Sequence, residues 1–471
     1  MIDLISERVG GRIVAFNDEF FAAAVNLIQV EPPVAKEEYT DRGKWMDGWE
    51  TRRRREPGHD WVVVRLGIPG RIRKVSVDTS YFTGNFPEQF SLDVTGVDDL
   101  DRAEWLEVIP RTDLAGSTVA EFDVEDPHRV EMVRLNIYPD GGVARLRVEG
   151  EPIPAMSLVC PEDEIDLALS TVGGEVVDAS DLHYSHPANM LWPTESVGMW
   201  DGWETRRRRE SGHDWVVVRL GMRGRVDHLI IDTTHFKGNA PGWVSAELSD
   251  DGRSWTEVVS RVPVDPHKQN VVGAGGAVGE YLRLSIHPDG GIARLRVFGN
   301  PDPAAAGAVR VRYLNALFGQ AAARFFHAAC ASTTWVDEMI ARRPFATADA
   351  VLDVADDVFD SLEERGWLEA FAGHPRIGER GDDENANREQ VGTSTASRET
   401  IRDLIDVNRR YEDKFGFTYI VYATGRTAEE MLAIARDRLE NDRHTEIANA
   451  SGEQRRITAT RLRRMLCQEV S

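Results

Sequence analysis

Cysteine is scarce: Cys160, Cys330 and Cys467 are the only three in 471 residues. Their odd number and wide spacing exclude a disulfide framework and a Cys-x-x-Cys metal site, which fits a reducing compartment. Long apolar runs are also missing. No stretch approaches the roughly 20 residues that a membrane-spanning helix needs. Asp3, Glu7, Arg8 and Arg12 interrupt the first segment, which therefore does not read as a secretory leader, and the C-terminal Cys-Gln-Glu-Val-Ser is not a peroxisomal address. Positive charge is in deficit, with 56 Lys and Arg against 79 Asp and Glu, a formal balance of −23. So acidic a surface repels nucleic acid and anionic membranes, and neither is an expected partner. Disorder is not the expectation either, because 41% of the residues are hydrophobic and 29% charged. A cytoplasmic protein acting on small molecules is expected, with about three domains at roughly 100–200 residues each. Nothing in the composition bears on whether it forms a homo-oligomer.

What the chain does have is an internal duplication. DGWETRRRRE occurs at 47–56 and again at 201–210, and GHDWVVVRLG follows at 58–67 and 212–221, so 20 of the 21 positions from Asp47 to Gly67 are identical. GGRIVAFNDEFFAAAVNLI (10–28) matches GGEVVDASDLHYSHPANML (173–191), and RIRKVSVDTSYFTGN (71–85) matches RVDHLIIDTTHFKGN (225–239). Each copy closes on a PDGG turn, in RLNIYPDGGVARLRVEG (134–150) and RLSIHPDGGIARLRVFG (283–299). The period of about 150 residues is that of a domain. Runs such as WVVVRLG, VSVDTSYF, LIIDTTHF and ARLRV are β-branched and bounded by Gly, Pro, Asn and Asp, which predicts short antiparallel strands in a β-sandwich of jelly-roll type. After Asn300 the texture changes. PDPAAAGAV (301–309) reads as a linker, and beyond it apolar residues fall at helical spacing, as at Leu314, Leu317, Phe318, Phe325 and Phe326, then Val351, Leu352, Val354 and Val358. The expected domains are 1–152 and 153–302, both β-sandwiches, and an all-α domain at 308–471.

The duplicated block mixes groups suited to chemistry. Asp47, Glu50, Asp201 and Glu204 offer carboxylates as bases or ligands, and His59 and His213 titrate near neutrality. Arg52, Arg54, Arg206 and Arg208 offer planar forks for a carboxylate. Glycines and charge place the segment on a loop entering the strand that begins at Trp61. Trp49, Trp61, Trp203 and Trp215 also fit as core aromatics, Trp61 and Trp215 above all. Arg145 with Arg147, and Arg294 with Arg296, share one strand face at i, i+2 spacing, as anion contacts or equally as salt-bridge partners. Asp78, Asn85, Asp232 and Asn239, at strand ends, are weaker candidates. The flanks have drifted while the block has not, which points to a dual demand of folding and ligand binding.

Taken in order and in both copies, the GG…VVDAS, WDGWETRRRR…GHDW, DTTHFKGN-like and PDGGIARLRV motifs resemble allantoicase over roughly residues 1–300. That resemblance implies cleavage of allantoate by water to urea and ureidoglycolate. His213 or His59, with Glu204 or Glu50 nearby, would move the protons, and Asp47, Asp201, Arg145, Arg294 and the arginine run would bind substrate. No HxH or HExxH spacing is present, so a divalent metal, if one assists, would draw its ligands from distant loops. The rival reading makes the sandwiches ligand-binding modules that dock or regulate the helical part.

In that helical part LNAL (314–317), CASTTWVDEM (330–339), WLEAFAGHPRIG (367–378), REQ (388–390), the FGF of 415–417 and RLENDRHTEI (438–447) follow in succession. Pro375 ends a helix and presents His374 at its edge. The succession resembles 2-oxo-4-hydroxy-4-carboxy-5-ureidoimidazoline (OHCU) decarboxylase, with HPRIG and FGF its specific part. The family makes (S)-allantoin and carbon dioxide without a cofactor. The resemblance implies His374 as acid–base residue, Glu389 as its carboxylate partner and Gln390 to orient the ring. Phe415, Gly416, Phe417 and Ile420 would line the pocket, and Arg438 would bind the substrate carboxylate. Many relatives have serine three residues before the glutamate; Ala386 stands there in this chain and withdraws one hydrogen bond.

Overall fold

The structure, a computed structural model, describes residues 1–376 and 397–467. These form two compact units, Met1–Ala316 and Leu317–Ser471, the first containing both repeats.

Each repeat is built around one 19-residue strand, Asp60–Asp78 in the first and Asp214–Asp232 in the second. The sequence suggested two short strands here; they are halves of one. In the first repeat the leading half, Asp60 to Arg65, pairs with Val130–Tyr138 on one side and Arg12–Phe16 on the other. The trailing half pairs with Arg145–Pro152 and Val119–Asp123. Each half thus lies in a different layer, and every pairing is antiparallel. Gly67 and Gly70 sit at the change of layer because the chain runs hard against its neighbours there: a Cβ would meet Val9 O at 2.4 Å and Glu151 O at 2.2 Å. The second repeat has the same strand order, from Ile165–Asp166 through Arg294–Pro301, Asp214–Asp232, Gln269–His287 and Trp243–Ser249 to Thr256–Pro263. Its strand Gln269–His287 is continuous, whereas the first repeat breaks this stretch into Val119–Asp123 and Val130–Tyr138.

Between the layers lie Val62, Val64, Val75, Val77, Leu135 and Ile137, with counterparts Val216, Val218, Ile231, Leu284 and Ile286, all fully buried. Each contributes on the order of 1.5–3 kcal/mol of hydrophobic burial. The tryptophans divide differently from expectation. Trp49 and Trp203 are fully buried, whereas Trp61 and Trp215 are only half-buried, because they alternate with the inward valines of their strands.

The segment 301–309 is no linker. It opens helix α1, Pro303–Asn315, with Asp302 accepting hydrogen bonds from Ala304 N and Ala305 N and proline in the first turn. Alanine is the strongest helix former, so the composition that looked like a spacer favours a helix once one face is covered. Ala306, Gly307, Val309, Val311 and Leu314 of this helix are buried. Arg310 donates to Met156 O and Val159 O between the repeats, and Arg129 N donates to Ala316 O at 2.7 Å. The second unit holds α2 (Gly319–Ala329), α3 (Thr333–Ala341), α4 (Ala348–Asp360), α5 (Glu364–Ala372), α6 (Arg398–Phe415), α7 (Ala428–Arg438) and α8 (Arg443–Met465). Rings of Trp335, Phe359, Trp367, Phe371 and Phe417 follow one another at centroid spacings of 5.4, 5.0, 6.3 and 5.2 Å through its core.

Two predictions follow from this construction. A chain ending at residue 316 should unfold at a Tm several degrees above one ending at 302, measured by thermal unfolding, because only the longer keeps α1. The second concerns pH. Asp3 and Asp166 begin their repeats by accepting hydrogen bonds from Val148 N and Val297 N, and burial pushes each carboxyl up to about 6. The folded chain therefore holds these protons to higher pH than the unfolded chain, whose aspartates titrate near 4. Stability should fall as pH rises from about 4 to about 6. The double variant Asp3→Asn, Asp166→Asn should flatten that slope in urea unfolding curves.

Candidate functional sites

The duplicated block is first a packing device. Asp47 and Asp201 turn inward to buried arginines: Arg145 Nη2 lies 3.0 Å from Asp47 Oδ1, and Arg294 Nη2 lies 2.9 Å from Asp201 Oδ2. Arg145 and Arg294 are only 2% and 3% exposed, and their other donors are taken by main-chain carbonyls, Glu31 and Asp47 in one copy, Thr194 and Asp201 in the other. Of the two sequence readings of these arginines, the structure shows the salt bridge. Asp47 and Asp201 are spent in the same pairs and do not face the loop's outer surface. Beside them Trp49 and Trp203 enter the core, each indole donating to a carbonyl, Asp18 O at 2.8 Å or Asp181 O at 2.9 Å. Thr51 N and Thr205 N latch onto Gly141 O and Gly290 O at 3.1 Å in the PDGG turns. Gly141 and Gly290 have φ of +146° and +140°, and a Cβ on either would lie 2.6 Å from the nitrogen of Pro87 or Pro241, which accounts for glycine at that turn.

The arginine run alternates. Arg52 pairs with Asp18 at 2.6 Å and Arg54 with Asp60 at 2.6 Å; Arg206 pairs with Asp181 at 2.8 Å and Arg208 with Asp214. These four were the ones sequence reasoning chose for substrate. Arg53, Arg55, Arg207 and Arg209 are exposed, and among the described residues no carboxylate lies within ion-pair distance of them. The i, i+2 alternation along an extended loop sends successive forks to opposite sides, a signal the sequence held but which needed the partner aspartates to be read. In the second repeat the run borders a surface hollow of about 390 Å³.

At the same end of each sandwich stands a carboxyl–amide pair. Asn85 Nδ2 donates to Glu50 Oε1 at 2.7 Å, and Asn239 Nδ2 to Glu204 Oε1 at 2.6 Å. Burial pushes the Glu50 carboxyl above its ordinary value, against the lowering effect of Asn85. Both asparagines, weak candidates in the sequence, thus gain a definite contact. His59 is half-buried with its ring 4.8 Å from that of Tyr138, and His213 is exposed with its ring 4.6 Å from that of His287. Sequence reasoning missed Tyr138 and His287, since nothing local marks a strand-end ring as the neighbour of a loop histidine. Among the described residues no group of three or more His, Cys, Asp and Glu is placed to hold a metal ion.

In the helical unit, α5 stops at Ala372, Gly373 caps it, and His374 follows with its N–H on Phe371 O at 3.1 Å. His374 lines an open pocket of about 600 Å³ together with Leu368, Pro375, Gly416 and Phe417. Arg376 and Glu412 close one side in a two-pronged ion pair at 2.8 and 2.7 Å. Gly416 ends α6 at φ +80°, which lets the chain reverse and bring Phe417 back against Phe371. Phe415 and Ile420 are buried in the core behind, at 2% exposure each. Arg438 is occupied elsewhere: it is buried, donates to Ile420 O at 2.8 Å and to Glu446 Oε1 at 2.6 Å, and Tyr411 Oη donates to the same carboxylate. It is not among the residues lining the His374 pocket; a fully buried Glu446 needs a cation beside it, and Arg438 supplies that. Glu389 and Gln390, like Ala386, lie outside the described residues.

Functional groups therefore gather at the loop ends of two like sandwiches and in one helical pocket, which is the layout of a two-part enzyme: a duplicated β-sandwich with a helical domain of separate chemistry. The comparisons agree. The allantoicase repeat model matches residues 2–153 and 165–302, and the OHCU decarboxylase model matches 315–463. A probable allantoicase of Pseudomonas aeruginosa (strain UCBPP-PA14) is 42% identical over 319 residues, covering 64% of this chain and 96% of that protein. One from Pseudomonas fluorescens (strain Pf0-1) is 40% identical over 318 residues, covering 63% and 96%. A crystal structure of allantoicase from Saccharomyces cerevisiae aligns with a TM-score of 0.55 and 32% identity, covering 63% of this chain and 92% of that one. The chain belongs to the allantoicase family and carries an OHCU decarboxylase domain behind the two repeats. Among the described residues no helix is long and apolar enough to cross a membrane.

Breaking the buried pair should be far costlier than breaking the exposed one. Arg294→Ala is expected to cost about 3–5 kcal/mol, because Asp201 is left charged and buried. Arg206→Ala, a mostly exposed fork, should cost about 1 kcal/mol or less. Urea-unfolding midpoints of the two variants provide the check.

Proposed function

We propose that the chain hydrolyses allantoate to (S)-ureidoglycolate and urea at its sandwich ends and decarboxylates OHCU to (S)-allantoin in its helical domain. The observation that carries the first activity is the alternation in the arginine run, which leaves Arg207 and Arg209 unpaired at the end where Glu204 and His213 also stand. Allantoate is a small carboxylate whose central carbon bears two ureido groups. An unpaired guanidinium suits the carboxylate. His213 gives a proton to the departing ureido nitrogen as the C–N bond breaks and its electron pair moves to that nitrogen, which forms urea. Water adds through oxygen to the carbon and loses a proton to Glu204, and solvent returns that proton to the imidazole. His59, Glu50, Arg53 and Arg55 are the matching groups of the first repeat.

For the second activity the supporting observation is His374 on the lip of a pocket whose other wall is Gly416 and Phe417. His374 would be the acid–base group there, the substrate ring itself accepting the electrons released with carbon dioxide, so that no cofactor is needed. We place both activities in the cytoplasm, in keeping with the scarcity of cysteine, three in 471 residues.

Urea release from allantoate should fall at least about 100-fold in the double variant His59→Ala, His213→Ala, with OHCU decarboxylation intact. His374→Ala should do the reverse, leaving only the spontaneous decay of freshly made OHCU. Urea release that survives the double substitution would remove the histidines from the reaction.

A further inference from the structure

One chemically loaded difference between the copies lies beside the loop histidine. Where the strand Val130–Tyr138 ends in a tyrosine, the matching strand Gln269–His287 ends in a histidine. The nearest contacts of the two rings correspond. In the first repeat the Tyr138 ring stands 4.8 Å from that of His59, tilted 38°, and its hydroxyl lies 3.1 Å from Ser91 Oγ. In the second the His287 ring stands 4.6 Å from that of His213, tilted 41°, with Nε2 3.1 Å from Ser245 Oγ. An equivalent serine, a like tilt and a like spacing therefore hold a phenol in one copy and an imidazole in the other.

A second, independent asymmetry lies at the seam between the repeats. Arg8, in the short turn Glu7–Val9 of the first repeat, places its guanidinium 4.8 Å from the Trp192 ring and 5.0 Å from the Trp200 ring of the second. Thr194 Oγ1 donates to Arg8 O at 2.8 Å, and Thr194 O in turn accepts from Arg294 Nε at 2.8 Å. The loop so propped carries Met199, whose sulfur lies 3.7 Å from Asn239 Nδ2, the amide that holds Glu204. Among the described residues no equivalent cation–ring contact runs from the second repeat to the matching loop of the first. Thr171 occupies the position of Arg8 in the second repeat, and the matching loop of the first repeat braces itself with the hairpin Tyr39–Thr40/Gly43–Lys44 and with Lys36 over Trp45 at 4.7 Å.

We infer that allantoate turnover belongs to the second repeat, where His287 is a positioning residue that sets the charge state of His213, and that the first repeat serves as its support. This rests on the reading of His213 as proton donor. The charged or titratable groups facing His287 are His213, on the loop before Asp214, and Arg261, on the strand Thr256–Pro263. Together with burial they push the His287 imidazole below its ordinary value. Two imidazoles 4.6 Å apart do not readily both carry charge, so a neutral His287 favours the proton on His213.

The test exchanges the two rings in the full chain and follows urea release from allantoate across pH 5–9, with OHCU decarboxylation as the control for an intact chain. His287→Tyr installs a ring the same fold already accommodates at Tyr138. It should lower kcat/KM about tenfold or more and remove one inflection from the acid limb of the profile. Tyr138→His should leave the profile unchanged. If Tyr138→His reshapes the profile and His287→Tyr does not, turnover lies in the first repeat and the inference is overturned. An unchanged profile in both variants, with His213→Ala inactive, overturns the role of His287 while the assignment of His213 stands. Activity retained in His213→Ala and in the double histidine variant would instead defeat the functional reading itself.

Discussion

A buried aspartate–arginine pair, present once in each repeat, holds the functional end of the sandwich in place. Arg145 and Arg294 are strand residues, so their backbones are fixed by the sheet, and each reaches sideways into the segment that precedes the arginine run. Charges taken out of water are tolerated only when paired and hydrogen-bonded, and here the guanidinium donors are shared between a carboxylate and loop carbonyls. Once that junction forms, the neighbouring tryptophan has only the core to enter, the following threonine latches the PDGG turn, and the run of arginines is drawn across the end of the sheet.

This dependence explains why the block has drifted so little between copies while its flanks have changed. Aspartate, glycine, tryptophan, threonine and every second arginine have partners at matching positions in both repeats, so substitution at most of them leaves a buried charge, a hole or an unlatched turn, and at the exposed Arg52 and Arg206 it loses a surface ion pair. Only the glutamate, the alternate arginines and the histidine are left to face solvent or substrate. The demand of folding thus accounts for most of the identity, and chemistry for the remainder. Where folding permits either ring, at Tyr138 and His287, the copies have parted.

The helical domain achieves its pocket by a different route. A succession of aromatic rings from Trp335 to Phe417 fills the space between α3, α4, α5 and the chain after α6, and offset or edge-on ring pairs prefer particular spacings. Phe417 belongs at once to that core and to the pocket wall opposite His374. The buried Arg438–Glu446–Tyr411 cluster ties α7, α8 and α6 behind the same wall, and Ile420 O accepts from Arg438. The wall opposite the histidine is therefore held by aromatic packing in front and a buried ion pair behind.

The duplication, the strand–turn alternation, the change to helical spacing after Asn300 and the family motifs are all readable from the residues, because repeats, turn chemistry and periodicity are local or self-referential. His374 before Pro375 was likewise legible, since proline acts on its immediate neighbour. The roles within DGWETRRRRE were not. Asp18, Asp60 and Arg145 lie between 5 and 100 positions from the block residues they engage, and only the folded sheet brings them there. The spacer that became α1 shows the same limit: alanine, proline and aspartate specify a helix only when a surface covers one side of it. By itself the sequence determined which groups the chain offers and that it offers most of them twice; the tertiary structure decided which arginines are consumed, which tryptophans are core and which ring stands beside each histidine, because those choices depend on partners distant along the chain.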